Sequence, residues 1–353
     1  MRKLLCLVLA VAAPAALAAN PPVALFYMTD SPNSIRDFYA HASQIDLLVP
    51  AWYSVDENGL VSGEPEPAVL QRAQSEKVPV MPIVGIFNLR GFHKLAGNAA
   101  AQATMNAALI RECKLHGYTG FQFDIENVDW MDRDGLSALV KTTADALHAA
   151  GFKLSIATVP NAPGYPGSGA FAKWIYADWR GAYDLAALAK SVDLICLMTY
   201  DQNTHWTQPG PVAGWQWTLD NMNYALQFVP KEKLSLGIPV YGYHWYTGAP
   251  IVTPGGPGEN PTEKPNPTAD YISYADSMQL VQDWGGKVQW DADDHTAWFY
   301  ITRDQEREWV FFTDRHTFED RYNLAVQKGL QGFCSWVLGE EDPAIWDFLP
   351  RHK

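Results

Sequence analysis

Gly120-Phe121-Gln122-Phe123-Asp124-Ile125-Glu126 alternates large apolar side chains with polar ones over a full strand length. In an extended chain successive side chains point to opposite faces, so Gln122, Asp124 and Glu126 share one face and Phe121, Phe123 and Ile125 the other. The apolar face suits packing under helices. The polar face then points into a barrel interior, where buried carboxyl groups cost several kcal/mol unless paired or protonated. A solvated edge strand would show the same alternation without that cost. Glu126 lies nearest the C-terminal end of the run, the end at which barrel active sites open.

Seven further β-rich runs flank this one: Val23–Asp30, Asp46–Asp56, Val78–Asn88, Lys153–Pro160, Asp193–Asp201, Leu234–Trp245 and Gly332–Leu338. Helical patterns separate most of them. Ala99–His116 is Ala-rich and stops at Gly117, and Asp134–Ala150 spaces Leu136, Leu139, Val140, Ala144 and Leu147 along one helical face before Gly151. Asp178–Lys190 and Trp215–Phe228 continue the series. Eight strands alternating with helices predict an α/β fold, a (β/α)8 TIM barrel. A doubly wound open sheet is the competing reading, weakened because no Gly-rich phosphate loop follows the first strand. Between the seventh and eighth runs the rhythm breaks for roughly 85 residues. Gly248–Asp270, with Pro at 250, 254, 257, 261, 265 and 267, reads as irregular chain. A helix near Tyr274–Trp284, strands near Ala297–Thr302 and Glu308–Thr313 and a helix near Thr317–Lys328 then predict a small α+β insertion at about 246–315.

The first residues read as an export leader rather than fold. Arg2 and Lys3 precede the apolar run Leu4–Ala13, and Ala16-Leu17-Ala18 fits a cleavage site, giving a signal peptide over 1–18 and one domain over 19–353. As a membrane anchor the run is too short for ~30 Å of hydrocarbon. No later stretch predicts a span, so the expected location is secreted or periplasmic. Cys113, Cys196 and Cys334 remain after cleavage, an odd number, and the last two sit in apolar runs that predict buried, inert thiols. The 353 residues are 48% hydrophobic and carry net charge −13, which argues for a folded chain and against a nucleic-acid partner. No zinc-type spacing is present, and neither a metal nor a cofactor is expected. The 14 Trp, 16 Tyr and 15 Phe exceed ordinary packing needs and predict flat platforms for a ligand.

The run Thr119–Glu126 resembles the signature of glycoside hydrolase family 18, Asp-Gly-x-Asp-x-Asp-x-Glu. Gly120, Asp124 and Glu126 match it; Thr119 and Gln122 replace its first two acids. Met198-Thr199-Tyr200-Asp201, Gly237-Ile238-Pro239-Val240-Tyr241-Gly242 and Trp336 follow in the family's order, and the late α+β insertion stands in the family's position. Phe26-Tyr27 and Trp336-Val337-Leu338-Gly339-Glu340-Glu341-Asp342-Pro343 look closest to the branch with bacterial cell-wall and spore-cortex N-acetylglucosaminidases. In place of the Ser-x-Gly-Gly of many family chitinases the third run has Pro82-Ile83-Val84-Gly85-Ile86, so the floor of the sugar site differs.

The resemblance implies a secreted glycosidase acting on chitin oligosaccharides or peptidoglycan, polysaccharides containing N-acetylglucosamine, as a monomer. Glu126 would protonate the glycosidic oxygen, the sugar's own 2-acetamido carbonyl would attack the anomeric carbon, and water would open the oxazolinium ion with retention. Asp124 would orient the acetamido group and Tyr200 would bond its oxygen. Gln122 would give Asp124 a neutral hydrogen-bond partner, leaving it readier to ionise than in a three-acid site. Trp336 would stack under a sugar ring, Met198 pack beside the acetamido methyl, and Asp201 bond a hydroxyl or the Asp124–Tyr200 network. Tyr241, Trp52, Tyr53, Tyr243 and Trp245 are aromatic candidates for further subsites, with plain core packing open for each. His205 and His244 read as surface or rim residues. A lectin on the same barrel, binding without turnover, is the alternative; Glu126 argues for the enzyme.

Overall fold

In the computed structural model, which describes residues 21–86, 89–161, 167–258 and 260–351, each of the eight expected runs contributes to one sheet closed on itself, the seventh only through Leu234–Pro239, since Gly242–Trp245 pairs in a second sheet. The leader expected at 1–18 lies outside the described residues. In chain order the strands are β1 (Val23–Met28), β2 (Leu47–Pro50), β3 (Tyr53–Val55), β4 (Val61–Gly63), β5 (Ile83–Ile86), β6 (Gly120–Ile125), β7 (Lys153–Thr158), β8 (Leu194–Leu197), β9 (Leu234–Pro239), β10 (Gly242–Thr253), β11 (Thr262–Ile272), β12 (Gln289–Asp291), β13 (Thr296–Arg303), β14 (Glu306–Phe312) and β15 (Gly332–Trp336). The first sheet runs β2-β1-β15-β9-β8-β7-β6-β5-β3-β4, parallel throughout except for the β3–β4 hairpin. Leu48 of β2 closes the ring: its N–H donates to Pro79 O and its carbonyl accepts from Met81 N, both at 3.0 Å, beside the parallel bridge to Val80. The second expected run is thus broken between β2 and β3, each half pairing with the chain around β5.

Helices form the outer layer for local reasons. Asn98 caps Ala99–His116 by accepting from Ala100 N and Ala101 N, and Gly117 ends it at φ 73°, a conformation that favours glycine. Arg133–Ala149 buries Leu136, Leu139, Val140, Ala144 and Leu147, the face its spacing predicted. Phe121 and Phe123 of β6 are fully buried beneath this layer, each stabilising by roughly 1.5–3 kcal/mol. The inner side of the barrel holds Leu25, Tyr27, Val49, Ile83, Leu194, Cys196 and Cys334. All three cysteines are buried and free, and burial pushes the Cys113 thiol up to about 12, consistent with inert thiols. The helix expected over Asp178–Lys190 is instead a wide π-type turn at Tyr176–Arg180 and a short helix at Leu185–Ser191. Gly181 separates them, where an added Cβ would fall 2.7 Å from Trp130 Cβ, and Asp184 caps the new start by accepting from Ala187 N.

The insertion between β9 and β15 is a five-stranded antiparallel sheet, β11-β10-β14-β13-β12, with Tyr274–Trp284 packed on one face. Two expectations are overturned here. Gly248–Asp270 is largely a long hairpin of β10 and β11, not irregular chain. Its prolines are tolerated because β11 is an edge strand, whose outward N–H groups need no partner, and because Pro250 and Pro265 fall at the register shift between Gly248 and Ile251. His244 is not a rim residue: it is buried, 2.7 Å from Glu308, which Arg303 also contacts. The fully buried Arg321 of helix Arg315–Lys328 fastens the insertion to the barrel, donating to the carbonyls of His295 and Thr317 at 2.9 Å and to that of Ala213. Burial lowers its guanidinium to about 10, so it stays charged near neutral pH. Arg321→Met leaves these carbonyls unpaired and is expected to destabilise by about 3 kcal/mol or more, read as a lowered denaturation midpoint; an unchanged midpoint would mean the two sheets are fastened elsewhere.

Candidate active site

The end of β6 is pinned before its side chains are considered. The fully buried Tyr183 hydroxyl donates to Ile125 O at 2.6 Å, Glu126 N donates to Ile86 O at 3.3 Å, and Asn127 turns the chain at φ 55°. The same device recurs after β8, where Asp201 sits at φ 59°; Asn and Asp tolerate this left-handed region better than most residues. Around these ends lies a cavity of about 290 Å³ walled by Tyr27, Asp124, Glu126, Ala157, Met198, Tyr200, Asp201, Tyr241, Tyr243, Tyr271 and Trp336. A second cavity, about 430 Å³, shares Glu126, Asp201 and Tyr243 with it and extends past Trp174, Trp179 and Trp206. Glu126 therefore stands where the two meet.

Hydrogen bonding changes steadily along the polar face of β6. Gln122 is fully buried and paired at both ends: Nε2 donates to Tyr27 Oη at 2.5 Å, while Oε1 accepts from Ser155 Oγ at 2.9 Å and from Cys196 Sγ at 3.5 Å. None of these partners is Asp124, and Gln122 does not wall the cavity, so the expected Gln122–Asp124 hydrogen bond is not formed. The amide is held by β1, β7 and β8 instead. Asp124 opens on the cavity with Oδ1 buried and without a hydrogen-bond partner among the described residues. Glu126 accepts one bond at Oε2, from Trp179 Nε1 at 2.7 Å.

Electrostatics follow this geometry. Burial, then the nearby Glu126 charge, pushes the Asp124 carboxyl up to about 8. Burial also raises Glu126, opposed by the Trp179 bond and assisted by Asp201. The two carboxyls titrate as a pair that keeps one proton into the neutral range. Asp201 is raised by burial and lowered by hydroxyl bonds from Tyr241 at 2.6 Å and Tyr243 at 3.3 Å. Tyr200 walls the cavity, and burial holds its hydroxyl neutral.

Of the residues singled out in the sequence, Glu126, Asp124, Tyr200, Met198, Asp201, Trp336 and Tyr241 meet at this cavity. Trp52 does not: it is buried, donates to Asp30 Oδ1 at 3.1 Å and packs 6.2 Å from Tyr118. Tyr53 is likewise core, bonded to the Tyr118 hydroxyl, and Trp245 walls a separate cavity of about 220 Å³, donating to Thr207 O. Tyr27, Tyr271 and Trp179 are among the site residues that were missed. Tyr27 follows from alternation on β1, which puts it on the inner face with Leu25. Tyr271 lies just past the stretch read as irregular, and Trp179 in a stretch read as regular helix; neither carried a usable signal.

The family model described as Glycosyl hydrolases family 18 matches residues 23–341. An uncharacterized glycosylase, YvbX, of Bacillus subtilis (strain 168) is 22% identical over 331 residues, covering 92% of this chain and 88% of the relative. A cortical fragment-lytic enzyme of the same organism is 22% identical over 303 residues, covering 84% of this chain and 65% of the relative. The crystal structure of a chitinase from Chromobacterium violaceum ATCC 12472 superposes with a TM-score of 0.79 at 24% identity, covering 92% of this chain and 97% of that one.

Gln122→Asp puts an acid into a fully buried amide site whose two ends are both paired. It is expected to destabilise by ~1–3 kcal/mol through the lost bond to Tyr27, and to move the acidic limb of kcat against pH by coupling to Asp124. Superimposable profiles would show that residue 122 does not communicate with Asp124.

Proposed function

The chain belongs to glycosyl hydrolases family 18 and is a glycosidase, and from that premise we propose that it cleaves β-linked N-acetylglucosamine polymers by substrate-assisted, retaining catalysis. The observation that carries this reading is the unpartnered, buried Oδ1 of Asp124 beside Glu126 in the 290 Å³ cavity. A buried oxygen left without a donor costs about 1–3 kcal/mol, and a ligand N–H aimed at it recovers that cost. The N–H of a 2-acetamido group is such a donor. Its bond favours ionised Asp124, which leaves the pair's single proton to Glu126, the group that needs it.

The steps then follow from position. Glu126 gives its proton to the glycosidic oxygen as the C1–O bond breaks, and the acetamido oxygen closes on C1. Ionised Asp124 holds the acetamido N–H and offsets the positive charge of the oxazolinium ion. Tyr200 donates its hydroxyl to the acetamido oxygen, and Trp336 offers a face to the ring's C–H groups. Glu126, now a carboxylate, takes a proton from the water that opens the ion. Chitin oligosaccharides and the glycan strands of peptidoglycan both carry the required acetamido sugar. The leader expected at 1–18 would deliver the enzyme outside the cytoplasm; among the described residues no helix is long and apolar enough to cross a membrane.

Glu126→Gln keeps the shape and removes the proton, so kcat on chitopentaose should fall by ~10²–10⁴-fold with substrate still bound. Retention of more than about a tenth of activity would place the acid elsewhere. Glucosides lacking the 2-acetamido group should not be turned over, since their nucleophile is missing; efficient release of glucose from cellopentaose would remove the substrate-assisted step.

A further inference from the structure

We propose that Trp179 is a positioning residue for the catalytic acid: its indole N–H occupies Glu126 Oε2, so that Oε1 carries the proton delivered to the departing sugar. This rests on the reading of Glu126 as the general acid. The bond is 2.7 Å long, and an indole nitrogen can only donate. The oxygen it meets must therefore offer a lone pair. In a protonated carboxyl group the carbonyl oxygen accepts well and the hydroxyl oxygen poorly, so the donor selects Oε2 as carbonyl and leaves the hydroxyl at Oε1. A neutral donor suits this task. Lys or Arg in its place would bind the carboxylate strongly enough to strip the acid of its proton near neutral pH.

The support of Trp179 is fixed from several sides. It lies on the wide turn Tyr176–Arg180, closed by Gly181 N donating to Tyr176 O at 2.7 Å. Asn161 Nδ2 donates to Arg180 O at 2.9 Å, and Arg133 reaches the carbonyls of Gly181 and Tyr183. Tyr183, two residues past the crowded Gly181, holds Ile125 O. The turn and the end of β6 thus form one braced unit with the indole between them. Trp179 also walls the 430 Å³ cavity with Phe171, Trp174 and Trp206, on the far side of Glu126 from Asp124's cavity. The residue that orients the acid thereby faces the space open to a leaving group.

The charged and titratable groups around Glu126 are Asp124 on its own strand, Asp201 and Tyr243 across the junction, Tyr183 beneath, and Asp178, Arg180 and His205 along the 430 Å³ cavity. Asp201 and burial raise the Glu126 carboxyl, and the Trp179 bond opposes them. Removing that bond therefore raises the pKa of Glu126, and the basic limb of kcat, which follows loss of its proton, moves up.

The test compares Trp179→Phe and Trp179→Tyr with wild type on two substrates: chitopentaose, whose sugar leaving group needs the proton, and a nitrophenyl β-glycoside of chitobiose, whose phenolate leaves with little help. Trp179→Phe is expected to lose about 10-fold or more in kcat on chitopentaose and only a few-fold on the aryl glycoside. Its basic limb should rise by about one pH unit, the scale of one hydrogen bond to a charged group. Trp179→Tyr, which keeps a ring and an O–H donor, should recover part of the loss. Equal losses on both substrates with an unmoved limb would reduce Trp179 to packing and overturn the inference, as would a Phe variant indistinguishable from wild type. Glu126→Gln, assayed alongside, separates the two claims: if it stays active the acid assignment fails, whereas an inactive Glu126→Gln beside a silent Trp179→Phe sinks only the role of Trp179. Thermal melts check folding; should Trp179→Phe not fold, Trp179→Tyr carries the test through its displaced limb and preserved aryl-glycoside activity.

Discussion

Everything at the site depends on how three polar side chains on one face of β6 are satisfied inside a closed barrel. Gln122, deepest, has both ends of its amide paired and behaves as structure. Asp124, in the middle, is left with one buried oxygen unpaired, a cost tolerated because its raised pKa lets it remain uncharged. Glu126, at the mouth, keeps a single bond to a neutral donor and opens on two cavities. Polar satisfaction falls along the strand as access rises, which is how one strand can be rigid at its base and reactive at its tip.

The surrounding wall supports the same balance. Tyr27, Tyr200 and Tyr241 are fully buried, and burial raises each hydroxyl well above its ordinary range. They act as fixed neutral dipoles. No Lys or Arg stands among the described residues that wall the 290 Å³ cavity. Burial, and the charge of Glu126 beside Asp124, let the Asp124–Glu126 pair hold a proton at a pH where exposed acids have lost theirs. A neutral, aromatic wall around proton-bearing acids suits an uncharged sugar better than a phosphate or carboxylate ligand.

The architecture was legible because it rests on local periodicity: the alternation of β6, the helical spacing of Asp134–Ala150 and the stops at Gly117 and Gly151 are short-range signals that burial then rewards. What was misread depends on neighbours. Whether Pro265 and Pro267 can sit in a strand is decided by that strand being an edge, and an edge is a property of the sheet rather than of the residues. Gln122 was placed on the correct face, yet its partners come from β1, β7 and β8, elements distant in sequence, so its bond to Asp124 could not be judged from spacing. Trp52 looks like a top-face aromatic from its position after β2, but Asp30 and Tyr118 draw it into the core. Trp179 reaches Glu126 from a wide turn closed by Gly181 N donating to Tyr176 O, at a position where any Cβ would meet Trp130.

The insertion belongs to this argument although it lies outside the barrel. The chain leaves β9 at Pro239 and enters β10 at Gly242, so Tyr241 stands at the junction and Tyr243 two residues into the second sheet. Both hydroxyls converge on Asp201, and Tyr271, paired in register with Tyr243, stacks on Tyr241 at 4.5 Å. One wall of the cavity is therefore set by the docking of the second sheet, and that docking passes through Arg321, whose bonds tie the loop at Ala213 to the turn at Asp294 and His295. A charge buried far from the chemistry thus fixes where two tyrosines meet Asp201. Through Asp201 it bears on the proton held by Glu126, because that carboxylate is one of the groups raising its pKa.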